Sequence, residues 1–347
     1  MADHASRWLI EQIRHNTHAN SLWFADENNL QDFHTLKLLA NKPRIVSNRW
    51  DLVQHASAEG FDAEFSDFDL RHLADHSLAR IFYRVSKEKP LTHYLLNQAA
   101  RLLQPKGELL LCGEKSGGIK TYIDKAARLF GCDVRARKDG FCYSANLALE
   151  QMDNQAPLDD QDYTQLRLVS PEEGFSFFSK PGVFGWNKID LGSALLVDQL
   201  QQHLPSPSLD SLLDLGCGYG YLTLMTKELM VNRRFATDNN ATALLAAKKN
   251  FSMQGLDVDV IAADAGDRVE QKVDLLLCNP PFHQGFDMDG DLTDKFLAAG
   301  KRLLKPTGQA FFVVNQFIPL ERKAAALFLQ VELLCQHQGF KVFRLRP

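Results

Sequence analysis

Several features that would narrow the function of a protein are missing from this chain. Its six cysteines are scattered and form no C-x-x-C pair, which argues against a zinc site or a redox dithiol. No run of about 18 apolar residues is present, so no transmembrane helix is expected. The first residues include an acid and no apolar core, so no secretory signal is expected. The sequence therefore predicts a cytoplasmic protein with reduced thiols, no resident metal and no membrane partner.

A strong charge of one sign is also absent, because the formal net charge is only −4. The chain thus lacks the overall basic character of many nucleic-acid-binding proteins, although a local patch can serve the same purpose. Basic residues cluster between Arg128 and Lys138 and again between Lys341 and Arg346. Such clusters are most often solvated surface, so charge alone does not identify a partner.

The length of 347 residues predicts two domains, and an internal repeat indicates where they lie. Residues Ala99–Leu111 resemble Gly300–Phe312: in each, an amphipathic helix reaches a Pro-x-Gly turn and an apolar strand follows. Each copy continues into two short runs broken at a Gly-Phe pair, at Gly140 and at Gly339. A repeat unit this long indicates a duplicated domain rather than a solenoid.

The boundary between the two copies is expected in the polar stretch from Gln151 to Gln165. This gives a first domain over residues 1–155 and a second domain over residues 166–347. Only the second contains a glycine turn, Asp214-Leu-Gly-Cys-Gly-Tyr-Gly220. The N-terminal copy is therefore predicted to be degenerate.

Strand and helix patterns alternate in the second half, which implies a mainly parallel sheet with helices on both faces and an α/β fold. Predicted strands cover 212–215, 234–237, 258–263, 273–278 and 310–314, predicted helices cover 219–229, 241–251 and 291–304, and a final antiparallel pair covers 331–336 and 341–345. Ligands of such sheets bind at the carboxyl ends of the strands. Five polar or glycine residues lie at or just beyond the ends of four predicted strands there: Asp214, Gly216, Asp238, Asp264 and Asn279.

The glycine turn has the spacing Gly-x-Gly-x-Gly at Gly216, Gly218 and Gly220. A dinucleotide fingerprint requires Gly-x-Gly-x-x-Gly, so a cofactor without phosphates fits this turn better. Its backbone would admit an amino-acid moiety, and Asp214 would meet a cationic amine.

Two further acids extend this interpretation. Asp238 lies about twenty residues beyond the glycines, where an acid can accept hydrogen bonds from both ribose hydroxyls. Asp264, one strand later, is placed to accept from an adenine amino group. Each acid alone could equally cap the helix that follows it. Their order after successive strands favours a nucleoside site.

The segment Asn279-Pro-Pro-Phe282 follows the apolar run Val273–Cys278 and indicates the chemistry. An exocyclic aromatic amine is a poor nucleophile because its lone pair is delocalised. The Asn279 oxygen and the Pro280 carbonyl can accept its N–H groups, while Phe282 stacks on the ring. The two motifs together predict methyl transfer from a sulfonium cofactor to such a nitrogen, with His283 as a contact at the rim.

These residues resemble the class I S-adenosylmethionine methyltransferases. More narrowly, the chain resembles the ribosomal RNA small subunit methyltransferase C family, the guanine-N2 methyltransferases of 16S rRNA. The matching segments are Cys112–Gly118, Gly182–Phe184, Asp190–Ser193, Asp214–Gly220 and Asn279–His283. The resemblance implies that the segment around Gly182 to Ser193 lines the cofactor and substrate mouth.

The resemblance implies two tandem Rossmann-like methyltransferase domains, each with a seven-stranded type of sheet that ends in an antiparallel hairpin. The degenerate first domain would hold RNA or support folding, and a monomer would act on 16S rRNA in the assembled small subunit. The implied site residues are Asp214, Gly216 and Gly218 for the methionine part, Asp238 for ribose, Asp264 for adenine, Asn279 beside the cofactor, Asn279 and Pro280 for catalysis, Phe282 for catalysis and guanine stacking, and His283 and Phe184 for the substrate.

Other functions remain open at this point. A sister activity on a 23S rRNA guanine shares the duplication and the Asn-Pro-Pro-Phe-His segment. A glutamine or adenine N-methyltransferase would keep the chemistry, and a nicotinamide-dependent oxidoreductase would use the fold differently. A non-catalytic RNA-binding assembly factor would retain only the fold.

Overall fold

The computed structural model describes residues 4–26, 29, 33–151, 156–170, 175–204, 208–281 and 290–347. The chain divides into two compact units, Met1–Gln165 and Leu166–Pro347. All six cysteines are free thiols. Within the described ranges no helix is long and apolar enough to cross a bilayer, and no group of three or more His, Cys, Asp or Glu residues is arranged to hold a metal ion.

The first unit is built on one seven-stranded sheet. Its strands are β1 (Ser21–Phe24), β2 (Arg44–Ser47), β3 (Ala63–Phe65), β4 (Leu78–Arg84), β5 (Leu103–Glu114), β6 (Arg137–Asp139) and β7 (Cys142–Ala148). Its helices are α1 (His4–Arg14), α2 (Phe33–Leu36), α3 (Trp50–Ala58), α4 (Lys89–Leu102) and α5 (Ile119–Phe130). The strand order is β3-β2-β1-β4-β5-β7-β6, parallel except that β7 is antiparallel to both of its neighbours.

Both faces of this sheet are buried, because successive side chains of a strand point to opposite sides. Trp23 packs into the cluster that contains Leu9 of α1 on one face. Phe24 packs edge-on against Tyr83 in the cluster on the other face. Helices therefore cover the sheet on both sides, as the α/β pattern requires.

The second unit repeats this arrangement. Its strands are β8 (Arg167–Val169), β9 (Phe177–Ser179), β10 (Ser208–Leu215), β11 (Met230–Asp238), β12 (Asp259–Ala262), β13 (Val273–Cys278), β14 (Leu304–Asn315), β15 (Gln330–His337) and β16 (Phe340–Arg346). Its helices are α6 (Leu191–His203), α7 (Tyr221–Met225), α8 (Ala241–Met253), α9 (Gly290–Leu303) and α10 (Leu320–Ala324). The main sheet has the order β12-β11-β10-β13-β14-β16-β15, and β8 and β9 form a separate hairpin.

The predicted fold class is confirmed by these two sheets, each of which ends in an antiparallel hairpin. The predicted helix over 219–229 is wrong in length, since α7 ends at Met225. The Thr226 hydroxyl donates to the Thr223 carbonyl, and a turn then leads into β11 at Met230. The Pro-x-Gly segments lie within β5 and β14, next to register irregularities, rather than in separate turns.

Strand register identifies equivalent positions in the two units. The internal repeat makes Leu109 of β5 equivalent to Ala310 of β14. Their partners are Ile81 of β4 and Leu276 of β13, which pair in turn with Leu22 of β1 and Leu213 of β10. Counting along the strands from these pairs gives the residue at each strand end. The equivalent pairs are Trp23 with Asp214, Ala25 with Gly216, Ser47 with Asp238, and Arg84 with Asn279. The first unit thus lacks these acids, this glycine and this asparagine at the equivalent positions of its sheet.

Candidate active site

The glycine turn connects β10 to α7 at the carboxyl edge of the second sheet. Gly216, Gly218 and Gly220 have φ angles of 81°, 57° and 92°, which lie in the left-handed region that favours glycine. A Cβ at Gly220 would lie 2.6 Å from the ring of Phe251, so this position also lacks room for a side chain. At Gly218 a Cβ would meet none of the described atoms within 4 Å. The turn therefore leaves open space beside its middle glycine.

Hydrogen bonds tie this turn to the end of the neighbouring strand. The Gly216 and Cys217 amides donate to the Thr237 carbonyl at 2.9 and 2.8 Å. The Asp238 carboxylate accepts from the Gly218 amide at 2.9 Å and from the Asn240 amide at 2.8 Å. Asp238 therefore stabilises the glycine turn and also lies at the predicted ribose position. Its spacing in the sequence indicated only the second of these.

Asp214 is completely buried at the end of β10. Its Oδ2 accepts from the Thr223 amide at 3.1 Å and from the Thr223 hydroxyl at 2.8 Å. Its Oδ1 is also buried and has no hydrogen-bond partner among the described residues. Burial raises the pKa of this carboxyl to about 7, against the lowering effect of the two bonds from Thr223. Asp214 thus presents one unsatisfied oxygen beneath the glycine turn.

Asp264 follows β12 and forms an ion pair with Lys295 of α9. Its side chain is 22% exposed, so it remains accessible at this edge. The sequence did not indicate this lysine partner, which lies 31 residues away. The carboxylate at the predicted adenine position therefore already carries a cation on one oxygen.

Asn279 follows β13, which lies beside β10 with Leu277 paired to Asp214. Its Nδ2 donates to Asp190 Oδ2 and to Ser193 Oγ, both at 2.8 Å. Its Oδ1 is buried and accepts no hydrogen bond from the described residues. The asparagine therefore reaches the edge where the glycine turn begins, with a free acceptor.

The residues after Asn279 are described only in part. Pro280 is buried and Pro281 is exposed. The predicted stacking residue Phe282 and the rim residue His283 lie outside the described residues. The contribution of the prolines is conformational, since each fixes φ and together they favour an extended path at this strand end.

The segment around Gly182 also lies at this edge. The Gly182 carbonyl accepts from Asn240 Nδ2 at 3.2 Å, which brings the segment to the end of β11. Val183 is buried in an apolar cluster with Tyr219 of the glycine turn. Phe184, the predicted substrate contact, is 71% exposed. Its ring is thus available at the surface next to a segment that packs on the turn.

Asn250 of α8 supports the site from behind and was missed in the sequence. Its Oδ1 accepts from the Phe178 amide at 2.6 Å, and its Nδ2 donates to the Phe178 and Tyr219 carbonyls, both at 2.9 Å. The rings of Phe177 and Tyr219 stack with centroids 4.1 Å apart and planes within 4°. One buried amide therefore fastens the β8–β9 hairpin to the glycine turn.

Comparison with known proteins identifies the family. Residues 174–344 match the Methyltransferase small domain, and residues 13–136 match its N-terminal companion domain. A ribosomal RNA small subunit methyltransferase C of Pseudomonas aeruginosa is 31% identical over 313 residues, which cover 89% of this chain and 91% of the relative. The chain belongs to the ribosomal RNA small subunit methyltransferase C family. The resemblance inferred from the motifs is thereby confirmed.

Other members and a solved structure agree with this family assignment. The Shewanella loihica protein of the same name is 29% identical over 266 residues, 76% of this chain and 75% of its own length. A 16S rRNA N2 methyltransferase of T. thermophilus, solved with AdoMet and guanosine, superposes with a TM-score of 0.84. The two proteins are 23% identical, and the superposition includes 99% of this chain and 92% of the T. thermophilus chain. This similarity supports the two-unit fold.

The sequence placed Asp190 and Ser193 in a segment expected to line the cofactor and substrate mouth, but it gave no sign of their contact with Asn279. Asp190 precedes the apolar pattern of α6, and its Oδ2 accepts from the Ser193 amide at 2.9 Å. An aspartate just before an amphipathic run is a helix N-cap signal, which was available in the sequence. The contact with Asn279 spans 89 residues and has no local signal.

Proposed function

We propose that this protein transfers a methyl group from S-adenosylmethionine to the exocyclic N2 of a guanine in 16S rRNA. The observation that carries the proposal is the Asn279 amide, whose unpartnered Oδ1 is held at the strand end beside the glycine turn. The name of the family suggests the substrate, which is the ribosomal RNA of the small subunit. The chemistry and the family therefore agree on one reaction.

The described residues fit the proposed cofactor. Gly218 leaves space for a close approach, and the buried Asp214 Oδ1 lacks a donor that a cationic amine would supply. We assign Asp214, Gly216 and Gly218 to the methionine part, Asp238 to the ribose and Asp264 to the adenine. When bound, S-adenosylmethionine supplies an electrophilic methyl group on sulfur.

The residues of the chain would act mainly by positioning and electrostatics. The Asn279 Oδ1 and the Pro280 carbonyl would accept the two N–H groups of the guanine amine and direct its lone pair outward. Phe282 would stack on the base, with His283 and Phe184 contacting the substrate at the rim. The amine proton can leave after transfer to nitrogen, so the step requires no strong general base.

We assign catalysis to residues 166–347 and a supporting role to residues 1–155. The first domain would hold RNA or stabilise the second, because its sheet edge has Trp23, Ser47 and Arg84 where the second has Asp214, Asp238 and Asn279. Arg84 is buried and lies 3.4 Å from Asp26, so an ion pair fills the position of the proposed catalytic amide.

We further propose that the enzyme works in the cytoplasm as a monomer on the assembled small subunit. Every residue that we assign to the site comes from one chain, so a monomer would contain a complete site. Recognition of a particle would also explain how a chain with a net charge of −4 binds RNA, because shape can contribute where charge does not.

The test is transfer of tritiated methyl groups into 30S subunits, 50S subunits and naked rRNA from cells that lack the enzyme, followed by nucleoside analysis. We expect N2-methylguanosine from 30S subunits. Label in 50S subunits would instead assign the 23S rRNA activity. Saturable cofactor binding without label in any RNA would exclude rRNA as the substrate. Absence of cofactor binding would favour a non-catalytic RNA-binding assembly factor.

A further inference from the structure

We propose that Asp190 is a positioning residue that fixes the Asn279 amide with its oxygen toward the target amine, an inference that rests on the proposed function. The two hydrogens of Asn279 Nδ2 have separate acceptors, Asp190 Oδ2 and Ser193 Oγ, each at 2.8 Å. These two contacts, called here the amide clamp, occupy the whole NH₂ group. Only Oδ1 is left to meet a substrate.

The acceptor atom Asp190 Oδ2 decides which way the Asn279 amide points. This oxygen already accepts from the Ser193 amide, so it faces Asn279 as an acceptor. If the Asn279 amide turned over, its oxygen would face the Asp190 carboxylate, and the bond between them would be replaced by repulsion between two acceptors. The orientation with Oδ1 turned away from Asp190 is therefore the stable one.

The Asn279 Oδ1 is buried and has no donor among the described residues. An unsatisfied buried acceptor is costly, and native proteins retain few of them. The clamp holds Asn279 in this costly arrangement, which a bound N–H group would relieve. This is the behaviour of a group kept ready for a ligand.

The clamp is rigid because it is built into the start of α6. Asp190 Oδ2 also accepts from the Ser193 amide at 2.9 Å, so one oxygen caps the helix and holds Asn279. Behind it, Gly192 lies against Phe340 of β16, where a Cβ would come within 2.8 Å of the ring. The start of α6 therefore packs closely against the sheet, and this packing holds the amide clamp in place.

A fixed acceptor matters for the reaction, because an amide that turned freely would present its NH₂ donors to the guanine N–H groups. Each such turn would remove the acceptor and place donor against donor. Loss of the clamp should therefore lower kcat while leaving the cofactor site intact, since Asp214 and Asp238 lie on other strands.

The test compares Asp190→Asn with Asp190→Ser in the full chain. An asparagine can place its oxygen where Oδ2 now lies and keep both the helix cap and the contact with Asn279. A serine also caps helices well, but its hydroxyl lies one bond closer to the backbone and does not reach Asn279. The pair thus separates the clamp from the cap.

We expect the kcat for methyl transfer to be at least about tenfold lower in Asp190→Ser than in Asp190→Asn. The affinity for S-adenosylmethionine, measured by calorimetry, should agree between the two variants within about threefold, and their melting temperatures should be similar. Equal kcat values would overturn the inference, as would a loss confined to cofactor affinity or to stability.

A second readout does not depend on activity. In protein labelled with ¹⁵N-asparagine, the side-chain NH₂ resonance of Asn279, assigned with Asn279→Ala, should move and exchange faster in Asp190→Ser than in Asp190→Asn. An unchanged resonance would overturn the clamp. If the wild-type protein transfers no methyl group, the proposed function fails, and this spectrum alone decides the clamp.

Ser193→Ala provides a further variant in case Asp190→Ser does not fold. It removes only the second acceptor and leaves the backbone amide that Asp190 caps. We expect kcat to fall several-fold with unchanged cofactor affinity. A kcat equal to that of the wild type, together with an unmoved Asn279 resonance, would overturn the inference.

Discussion

Replacing Asp214 with asparagine should change how the stability of the protein depends on pH. Asp214 is fully buried, and burial raises its pKa from 3.8 to about 7. The introduced amide would keep one oxygen for the two hydrogen bonds from Thr223 and would carry no titrating group. The comparison between the two proteins therefore isolates one carboxyl.

The magnitude follows from the two pKa values. One pKa unit corresponds to about 1.4 kcal/mol, so ionising Asp214 costs about 4 kcal/mol more in the fold than in the unfolded chain. Because the pKa is raised in the fold, its effect is absent below about pH 4, and stability falls as the pH rises from there to about 7. Between pH 5.5 and pH 8 the wild type should lose about 2 kcal/mol relative to Asp214→Asn.

The assay is urea unfolding of both proteins at several pH values without cofactor. The NH₂ group of the new asparagine adds a constant cost, so the readout is the change in the free-energy difference with pH rather than its sign at one pH. Other titrating groups are common to both proteins and cancel. A difference that stays constant from pH 5.5 to pH 8 would refute the raised pKa of Asp214.

Three further substitutions test the site. Asp238→Ala should weaken S-adenosylmethionine binding by about 1–3 kcal/mol in calorimetry, through loss of charged hydrogen bonds and of the bond that holds Gly218. Asn279→Ala should abolish methyl transfer in a tritium assay, because the amine acceptor is lost, and leave cofactor affinity within about threefold, because Asp214 and Asp238 are unchanged. Asn250→Ala should lower the free energy of unfolding by about 2–4 kcal/mol, because three hydrogen bonds in a buried region lose their partner.

Matched controls make these results decisive. Asp210→Ala removes an exposed acid of β10 and should not alter cofactor affinity. If it weakened cofactor binding as much as Asp238→Ala does, the effect of Asp238→Ala would not be specific to the site. Asn232→Ala removes an exposed side chain with one hydrogen bond and should change stability by less than about 0.5 kcal/mol. Full turnover in Asn279→Ala would exclude it from the mechanism, and an unchanged unfolding curve for Asn250→Ala would contradict its fastening role.

Local patterns were enough to predict most of the fold. Apolar runs predicted the central strands of the second unit, and Val273–Cys278 matches β13 residue for residue. The Ala-rich helix predicted over 241–251 corresponds to α8, which continues two residues further, to Met253. The error at α7 arose because its apolar pattern continues past Met225, while the chain is turned there by a hydrogen bond between Thr226 and Thr223. Periodicity does not reveal such a local side-chain bond.

The amino-acid sequence by itself determined the duplication, the order of strands and helices, the glycine turn and the asparagine at the end of β13. These depend on residue types close together in the chain, which periodicity and spacing report directly. The tertiary structure alone decided that Asp190 orients Asn279 and that Lys295 pairs with Asp264. It also decided that burial raises the pKa of Asp214. Such properties arise where packing brings distant residues together and excludes water, and neighbouring residues in the chain do not encode them.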